Sequence, residues 1–225
     1  DEIENYMKTN GGIMTKKDLE IYTAVERKPV HGTYKEYEIY SMPPPSSGGV
    51  ALVEMLNILE LANIDSVKFN STAYVHLITE VMRRAFADRA EYMGDPDFNP
   101  DIPLEQLISK VFAKKRFDNI DMTKASISDS ALYGHPYDGN NTTHFSVVDK
   151  DGNAVSLTYT LEYGYGSQMG SNKLGFIFNN EMGDFNPVPG LTTSSGRIGS
   201  PPNIIAPEKR MLSSMSPTIV AKNGK

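Results

Sequence analysis

The feature that most constrains the fold of this chain is a pair of β-type segments, His144–Val148 and Ala154–Leu161, separated by a short turn. Both segments alternate or run in β-branched and aromatic residues, which is the composition of strands. The intervening stretch Asp149–Asn153, DKDGN, supplies the residues of a hairpin turn. The sequence therefore predicts an antiparallel hairpin, and the polar stretch before Thr142 runs directly into its first strand.

The length of the hairpin loop decides which threonines face each other. A five-residue loop sets Thr142 opposite Thr160, whereas a two-residue Asp-Gly loop sets Thr143 there. Directly opposed residues have Cβ atoms about 5 Å apart, so in either register the Thr160 hydroxyl lies beside the start of the strand and can orient Thr142. The same spacing also fits threonines whose only role is to form strand.

Thr142 invites a chemical interpretation, because threonine becomes a good nucleophile only when a base takes its proton. One solution is a threonine whose own free α-amine is that base, with a reference pKa near 8. Thr142 lies inside the chain, so this chemistry requires cleavage of the Asn141–Thr142 bond. We expect the Thr142 hydroxyl to attack the preceding carbonyl.

Charge and composition disfavour several classes of protein. The net charge is −6 with a pI near 5.3, and the densest basic run spans only residues 113–116, so a nucleic-acid binder is not expected. No segment approaches the roughly 18 apolar residues that span a bilayer. The chain has no cysteine, which excludes disulfides, thiolate catalysis and cysteine-ligated metals. Its four histidines lie far apart in sequence, so a metal site is not expected, and we expect no cofactor.

The first part of the chain reads as short helices and one strand. Thr15, with Asp18 three residues on, predicts a capped helix. Tyr37–Met42 alternates as a strand, and Pro43–Gly49 connects it to a helix at Val50–Ala62. The lysine and spacing of a phosphate-binding loop are missing from that connection.

A long helix is predicted to begin after Ser71 or Thr72. Its apolar stripe is expected to pack into the core and comprises Tyr74, Leu77, Ile78, Val81 and Ala85. Charged residues are expected away from that stripe, namely Glu80, Arg83, Arg84 and Asp88.

Polar stretches alternate with strands in the second half. Residues 121–141 are polar with little periodicity and are the best candidate for a mobile or processed linker. Gly175–Asn180 predicts a third strand and residues 216–225 a fourth that ends in a turn, with a long loop at residues 186–207 between them. Because the turn signal Asn223-Gly224 has no returning strand behind it, we expect the chain to stop in mid-fold.

Six motifs follow one another along the chain. They are PPPSSGG (Pro43–Gly49), TTHFS (Thr142–Ser146), DGNAVS (Asp151–Ser156), TYTLE (Thr158–Glu162), NNEMGDF (Asn179–Phe185) and KRMLSSMSPTIV (Lys209–Val220). Together and in this order they closely resemble the motifs of the γ-glutamyltranspeptidase family. The resemblance spans nearly the whole chain, and the combination is highly specific.

The resemblance implies an α+β fold, the N-terminal-nucleophile hydrolase four-layer αββα sandwich with two stacked, mainly antiparallel sheets. Precursors of that family cut themselves into a large and a small subunit, so Thr142 would be both the processing residue and the mature nucleophile. We therefore expect residues 1–141 to be the C-terminal part of the large subunit. Residues 142–225 would be the N-terminal part of the small one, in one intertwined domain truncated at both ends.

The resemblance also implies the roles of the other site residues. A γ-glutamyl donor such as glutathione carries an α-ammonium, which calls for carboxylates, and an α-carboxylate, which calls for hydroxyl, N–H and arginine donors. The carboxylates expected on the ammonium side are Glu162, Glu181 and Asp184. The residues expected on the carboxylate side are Ser213 and Ser214, and Thr160 is expected to orient Thr142. Some members of the family carry Asn and Gln at the first two acidic positions, so this chain resembles a more acidic variant.

The expected activity is that of a threonine-nucleophile γ-glutamyltransferase or hydrolase, acting through a γ-glutamyl-enzyme with water or an amino acid or peptide as acceptor. The loop at residues 186–207 lacks the tyrosine that some members carry in a lid, which leaves transfer or hydrolysis open. The family's oxyanion glycines and carboxylate-binding arginine would lie outside the 225 residues, so this piece alone is expected to be inactive.

Three alternatives stay open: a cephalosporin acylase, a poly-γ-glutamate depolymerase, or an unprocessed non-catalytic relative that serves as a binding subunit. The acidic set favours an amino-acid-like donor over the first two. The resemblance also implies a periplasmic or extracellular location.

Overall fold

The computed structural model describes residues 1–127, 142–186 and 201–224, which form an α+β structure. Its α-helices are α1 (Glu2–Thr9), α2 (Lys16–Ile21), α3 (Gly48–Leu61), α4 (Thr72–Tyr92), α5 (Leu104–Leu107) and α6 (Lys110–Phe117). Its strands are β1 (Val30–Tyr34), β2 (Tyr37–Ser41), β3 (Thr142–Val148), β4 (Ala154–Thr160), β5 (Gly170–Ser171), β6 (Phe176–Ile177) and β7 (Thr218–Ala221). Short 3₁₀ turns occupy Ile64–Ser66, Glu181–Asp184 and Pro201–Asn203.

The described strands pair in antiparallel fashion throughout. They form a three-stranded sheet in the order β1-β2-β7 and two hairpins, β3-β4 and β5-β6. The strand expected at Gly175–Asn180 is shorter than predicted and covers only Phe176–Ile177. Its end is diverted because the Asn179 side chain accepts the Glu181 N–H (3.1 Å) and the Asn180 side chain accepts the Tyr163 N–H (3.0 Å).

Helix starts follow the predicted caps, with one difference. Thr15 and Asp18 form a reciprocal capping box, and the Ser71 side chain accepts the Tyr74 N–H (3.2 Å) at the start of α4. Helix α3, however, begins at Gly48, two residues before the predicted Val50. Gly48 and Gly49 therefore belong to the helix, and glycine is needed at both because other backbone segments pack where a side chain would be.

Helix α4 is buried on a wider arc than its apolar stripe predicted. Leu77, Val81 and Ala85 are in the core as expected. Glu80 and Asp88 were expected outside the core, and this is wrong, since they are 1% and 2% exposed. Glu80 pairs with Arg84 (2.7 Å) and Asp88 with Arg116 of α6, so charge pairing replaces the water that these carboxylates lose.

Two apolar clusters form the core, one between the helices and the first sheet and one among the helices. One joins β1, β2 and α3 to the segment before β7, and its buried members are Val30, Ile39, Val50, Val53, Met93, Leu107, Phe112 and Leu212. The second joins α3, α4 and α6 through Ile58, Leu77, Val81 and Ala113.

The described part of residues 121–141 is anchored to α4, because the Glu80 carboxylate accepts the Ser126 N–H (3.0 Å). No described helix combines the length and apolar composition needed to cross a membrane.

The pairing of β2 with β7 explains why two motifs that are far apart in sequence touch each other. Ser41 at the end of β2 pairs with Thr218 at the start of β7. The loop that follows β2, Pro43–Gly49, must therefore run beside the segment that precedes β7. Ser47 N–H donates to the Ser213 carbonyl (2.9 Å), and Ser213 N–H donates to the Pro45 carbonyl (3.1 Å).

Gly48 marks the closest approach of these two motifs, and we expect Gly48→Ala to separate them. A Cβ there would lie 2.4 Å from the Met215 carbonyl oxygen and 2.7 Å from that of Ser214. Overpacking of this kind costs about 2 kcal/mol of unfolding free energy, which chemical denaturation of the full-length protein would measure. Gly170→Ala is the control, because its Cβ would meet nothing nearer than 3.4 Å. Equal stability of the two variants would contradict the packing described.

Candidate active site

The hairpin β3-β4 has the register of the five-residue loop. Thr142 pairs with Thr160, and Val148 pairs with Ala154 at the other end. The loop is held by the Asp149 carboxylate, which accepts the N–H groups of Asp151 and Asn153, both at 2.9 Å. Thr142, the predicted nucleophile, is therefore the first residue of the strand and lies directly opposite Thr160. It is exposed. Asn141, the other side of the predicted cleavage bond, lies outside the described residues.

The face of the hairpin that carries Thr142 is polar. Side chains alternate along a strand, so three polar pairs follow one another on this face, Thr142 with Thr160, His144 with Thr158, and Ser146 with Ser156, before the apolar pair Val148 with Ala154 at the turn. His144 hydrogen-bonds Thr158 Oγ1 through Nδ1 (2.7 Å) and Ser146 Oγ through Nε2 (3.2 Å). Because Thr218 N–H at the start of β7 donates to Ser156 Oγ (3.0 Å), the polar face is tied to the segment that carries the serine pair.

Glu162 lies immediately beyond the threonine pair. Its N–H donates to Thr160 Oγ1 (2.9 Å), and its carboxylate accepts a hydrogen bond from the Asn180 amide. Glu162 has φ of 71°, in the left-handed region that non-glycine residues rarely adopt. Such a conformation typically costs about 1 kcal/mol and is retained where surrounding contacts fix it. Two predicted site residues, Thr160 and Glu162, are thus in direct contact.

Glu181 and Asp184 form a carboxyl pair in the 3₁₀ turn that follows. Burial raises the pKa of Glu181 to about 7, and the Asp184 charge and a hydrogen bond between the two add to the rise. Burial also raises the pKa of Asp184, against the opposing charge of Arg89. Glu181 Oε1 is buried and has no hydrogen-bond partner among the described residues. An unsatisfied buried acceptor beside a second carboxyl is suited to a cationic ligand.

The serine pair, Ser213 and Ser214, lies on the segment before β7, where that segment packs against the Pro43–Gly49 loop. Ser213 is half-buried, and its hydroxyl accepts the Met215 N–H (3.1 Å). Ser214 is exposed. Beneath them, the buried Ser47 hydroxyl donates to the Ser213 carbonyl (2.8 Å), and Ser46 donates to the Met215 carbonyl (2.6 Å). The Pro43–Gly49 motif therefore supports the backbone that carries the two serines.

Two residues that the sequence did not single out connect the carboxyl side of the site to the serine side. Arg89 of α4 donates to Ser47 Oγ (2.8 Å) and to Ser214 Oγ (3.3 Å). Asn203 is buried, donates to the Asp184 carbonyl (2.7 Å) and accepts the Leu212 N–H (2.9 Å). One signal for Arg89 was available: it continues the buried stripe of α4 four residues after Ala85, at a position where an arginine needs a partner.

The raised pKa of Glu181 predicts a pH dependence of stability. Its folded pKa of about 7 lies above its ordinary value of 4.5, so the folded state holds the extra proton between those values. The stability that this proton supplies is fully present below pH 4.5 and is lost as pH rises through 7. Gln cannot ionise, so Glu181→Gln should become the more stable protein as pH rises. After allowance for solvent screening, the unfolding free energy of Glu181→Gln relative to the parent should be roughly 1 to 2 kcal/mol greater above pH 7 than in acid.

Chemical denaturation of the full-length protein and its variant, at several pH values from acid to about pH 8, measures this difference. Glu105→Gln, at an exposed position on α5, is the control and should show a constant small difference. A Glu181→Gln difference that did not change with pH would contradict the buried carboxyl pair.

Comparison with known proteins identifies relatives over the whole chain. The family model described as Gamma-glutamyltranspeptidase matches residues 1–225. The chain is 47% identical over 227 residues to the glutathione hydrolase proenzyme of Escherichia coli K12, covering 100% of this chain and 39% of that protein. It is 40% identical over 223 residues to the acylase ACY 1 proenzyme of Pseudomonas sp. SE83, covering 99% of this chain and 38% of that protein. The chain thus spans about two fifths of the length of these curated relatives.

Solved structures agree with the fold. The structure of cephalosporin acylase from Bacillus halodurans aligns with a TM-score of 0.74 at 25% identity, over 100% of this chain and 38% of that one. Helicobacter pylori gamma-glutamyltranspeptidase aligns with a TM-score of 0.53 at 43% identity, over 62% of this chain and 40% of that one. The α+β structure with antiparallel sheets is therefore part of an N-terminal-nucleophile hydrolase fold, as predicted.

Proposed function

Because the chain belongs to the gamma-glutamyltranspeptidase family, we propose that it is part of a self-processing enzyme that removes or transfers the γ-glutamyl group of glutathione-like donors. The observation that carries the proposal is the pairing of Thr142 with Thr160 at the first residue of β3. The relatives named glutathione hydrolase proenzyme support the same reaction and a precursor that is processed. Residues 1–141 would then belong to the large subunit and residues 142–225 to the small one.

Self-processing begins at the Asn141–Thr142 bond. Thr142 Oγ1 attacks the Asn141 carbonyl carbon, and its hydroxyl proton passes to the amide nitrogen. The C–N bond then breaks, the nitrogen becomes the α-amine of Thr142, and an ester joins the two residues. Water hydrolyses that ester and leaves a carboxylate on Asn141 and a free amine and hydroxyl on Thr142. Thr160 Oγ1 accepts the Glu162 N–H, so its own proton is available for Thr142 Oγ1 across the strand pair.

The mature threonine then attacks the donor. Its α-amine takes the hydroxyl proton while Oγ1 attacks the γ-carbonyl carbon, and the amine passes that proton to the leaving nitrogen. For glutathione the leaving group is cysteinylglycine, and a γ-glutamyl ester remains on Thr142. Water, or the amine of an amino acid or peptide acceptor, then attacks the ester and frees Thr142.

The carboxyl and hydroxyl groups of the site match the two ends of a γ-glutamyl donor. The α-ammonium would be bound by Glu162, Glu181 and Asp184, and Glu181 Oε1 would gain the partner it lacks in the described residues. A cation there would favour the ionised form of both carboxyls and so lower their pKa values. The α-carboxylate would be bound by Ser213 and Ser214.

The acylase relatives support one alternative, an acylase whose acyl group lacks the amino-acid end. The carboxyl pair Glu181–Asp184 argues against it, because two acids in a half-buried site favour a cationic group. A depolymerase of poly-γ-glutamate would also use Thr142, but on a polymeric donor. A non-catalytic binding subunit would leave Asn141–Thr142 intact.

We extend the proposal to a periplasmic or extracellular location, which cell fractionation checks.

Three matched anilides test the proposed donor on the processed full-length protein. γ-Glutamyl anilide carries both α-groups, glutaryl anilide lacks the ammonium, and 4-aminobutyryl anilide lacks the carboxylate. The proposal predicts the highest kcat/KM for the γ-glutamyl compound. Addition of a dipeptide acceptor then shows whether the γ-glutamyl group is also transferred to an amine. A preference for the glutaryl compound would contradict the proposal and support the acylase alternative.

A further inference from the structure

We propose that Arg89 is a positioning residue for recognition of the donor α-carboxylate, holding the Ser214 hydroxyl so that its proton is offered to that carboxylate. The inference rests on the proposed function, and it assigns to α4 a part in choosing the substrate. Arg89 itself need not touch the donor.

Arg89 fixes both serine-bearing segments with one planar group. Its Nε donates to Ser47 Oγ (2.8 Å) and its Nη2 to Ser214 Oγ (3.3 Å). Ser47 in turn holds the Ser213 carbonyl through its hydroxyl (2.8 Å) and its N–H (2.9 Å). Because the guanidinium donors have a rigid spacing, the position of Ser214 relative to Ser213 follows from the position of Arg89.

Hydrogen-bond chemistry decides where the Ser214 proton can go. An arginine only donates, so Ser214 Oγ must accept in its contact with Arg89, and its own proton remains free. Within the described residues, no other group accepts that proton, and Ser214 is exposed, whereas the Ser47 proton is used by the Ser213 carbonyl. The arrangement leaves the Ser214 hydroxyl proton facing solvent, at the place where the α-carboxylate of the γ-glutamyl substrate is expected.

The charge of Arg89 supports the same role. Arg89 as a whole residue is half-buried, and burial lowers the pKa of its guanidinium, so this group needs nearby negative charge. Asp184 provides some of that charge, and Arg89 in turn opposes the rise in the Asp184 pKa. A positive charge behind Ser214 also favours an anion in front of it, since hydrogen bonds to charged groups are the stronger ones.

The test compares Arg89→Met, which keeps the apolar length, with Arg89→Lys, which keeps the charge, in the processed full-length protein. Arg84→Met is the matched control, because Arg84 lies on the same helix and binds Glu80 and the Arg116 carbonyl (3.0 Å) away from the serines. For each protein, kcat and KM are measured with γ-glutamyl anilide and with 4-aminobutyryl anilide, which lacks the carboxylate. Intact mass reports whether processing is complete.

We expect Arg89→Met to raise KM for the γ-glutamyl anilide about tenfold or more with little change in kcat, while KM for the 4-aminobutyryl anilide stays nearly constant. Arg89→Lys should recover part of the loss, and Arg84→Met should not alter the ratio of the two KM values. An equal effect of Arg89→Met on both anilides would overturn the role of Arg89 and leave the proposed function standing. A parent protein that hydrolyses neither anilide would overturn both.

Discussion

Thr142→Ala should abolish both the cleavage of the Asn141–Thr142 bond and the hydrolysis of γ-glutamyl donors. The variant lacks the oxygen that attacks the Asn141 carbonyl, and without cleavage no free α-amine exists to act as base. Loss of a nucleophile of this kind typically lowers the rate by about 10⁴-fold or more. Gel electrophoresis and intact mass of the incubated full-length protein measure the cleavage, and γ-glutamyl anilide measures the hydrolysis.

Two further variants separate the roles of the threonines in that experiment. Thr142→Ser keeps the hydroxyl and should retain measurable cleavage and hydrolysis. Thr143→Ala changes the neighbouring threonine, which the register places on the opposite face of β3 and opposite Tyr159, and should cleave at the same bond. Cleavage and full activity in Thr142→Ala would show that another residue is the nucleophile.

Asp184→Asn should lower kcat/KM for the γ-glutamyl anilide by about 100-fold, because the α-ammonium loses an ionised partner in a half-buried site. The amide also leaves the Arg89 charge without the carboxylate that balances it. For glutaryl anilide, which carries no ammonium, the same variant should be equal to the parent or better. Steady-state kinetics with both anilides give the comparison directly.

The matched control for this prediction is Asp151→Asn. Asp151 is an exposed aspartate in the hairpin turn, and among the described residues its carboxylate pairs with Lys150 at the surface (3.1 Å). Its replacement should leave both anilides unchanged, since exposed pairs of this kind contribute little. If Asp184→Asn impaired both anilides equally, Asp184 would support the structure of the site and not the ammonium.

The sequence predicted the strands of the β3-β4 hairpin but not their register. Its two strands and its turn were predictable from β-branched runs and DKDGN, and the structure confirms them. The sequence did not decide between two pairing registers, because a two-residue Asp-Gly loop and the full five-residue loop are both plausible turns. The Asp149 side chain decides between them by accepting the N–H groups of Asp151 and Asn153, a tertiary detail that no spacing rule fixes.

The links between the two sides of the site could not be predicted in the same way. Arg89 and Ser214 are 125 residues apart in sequence, and only the packing of α4 against the segment before β7 brings them together. Asn203 belongs to a loop that reads as irregular, yet its side chain joins the Asp184 and Leu212 backbones. The shifted pKa of Glu181 likewise depends on burial, which the motif NNEMGDF does not reveal.

The central claim is that Thr142 becomes the N-terminal residue that carries the γ-glutamyl group. The most direct measurement is to quench the processed full-length protein with acid during turnover of the γ-glutamyl anilide and to map its peptides by mass. We predict a peptide that begins at Thr142 and carries one γ-glutamyl group on that threonine. A chain that hydrolyses the anilide while its glutamyl group sits on another residue, or while Asn141–Thr142 remains intact, would contradict the account.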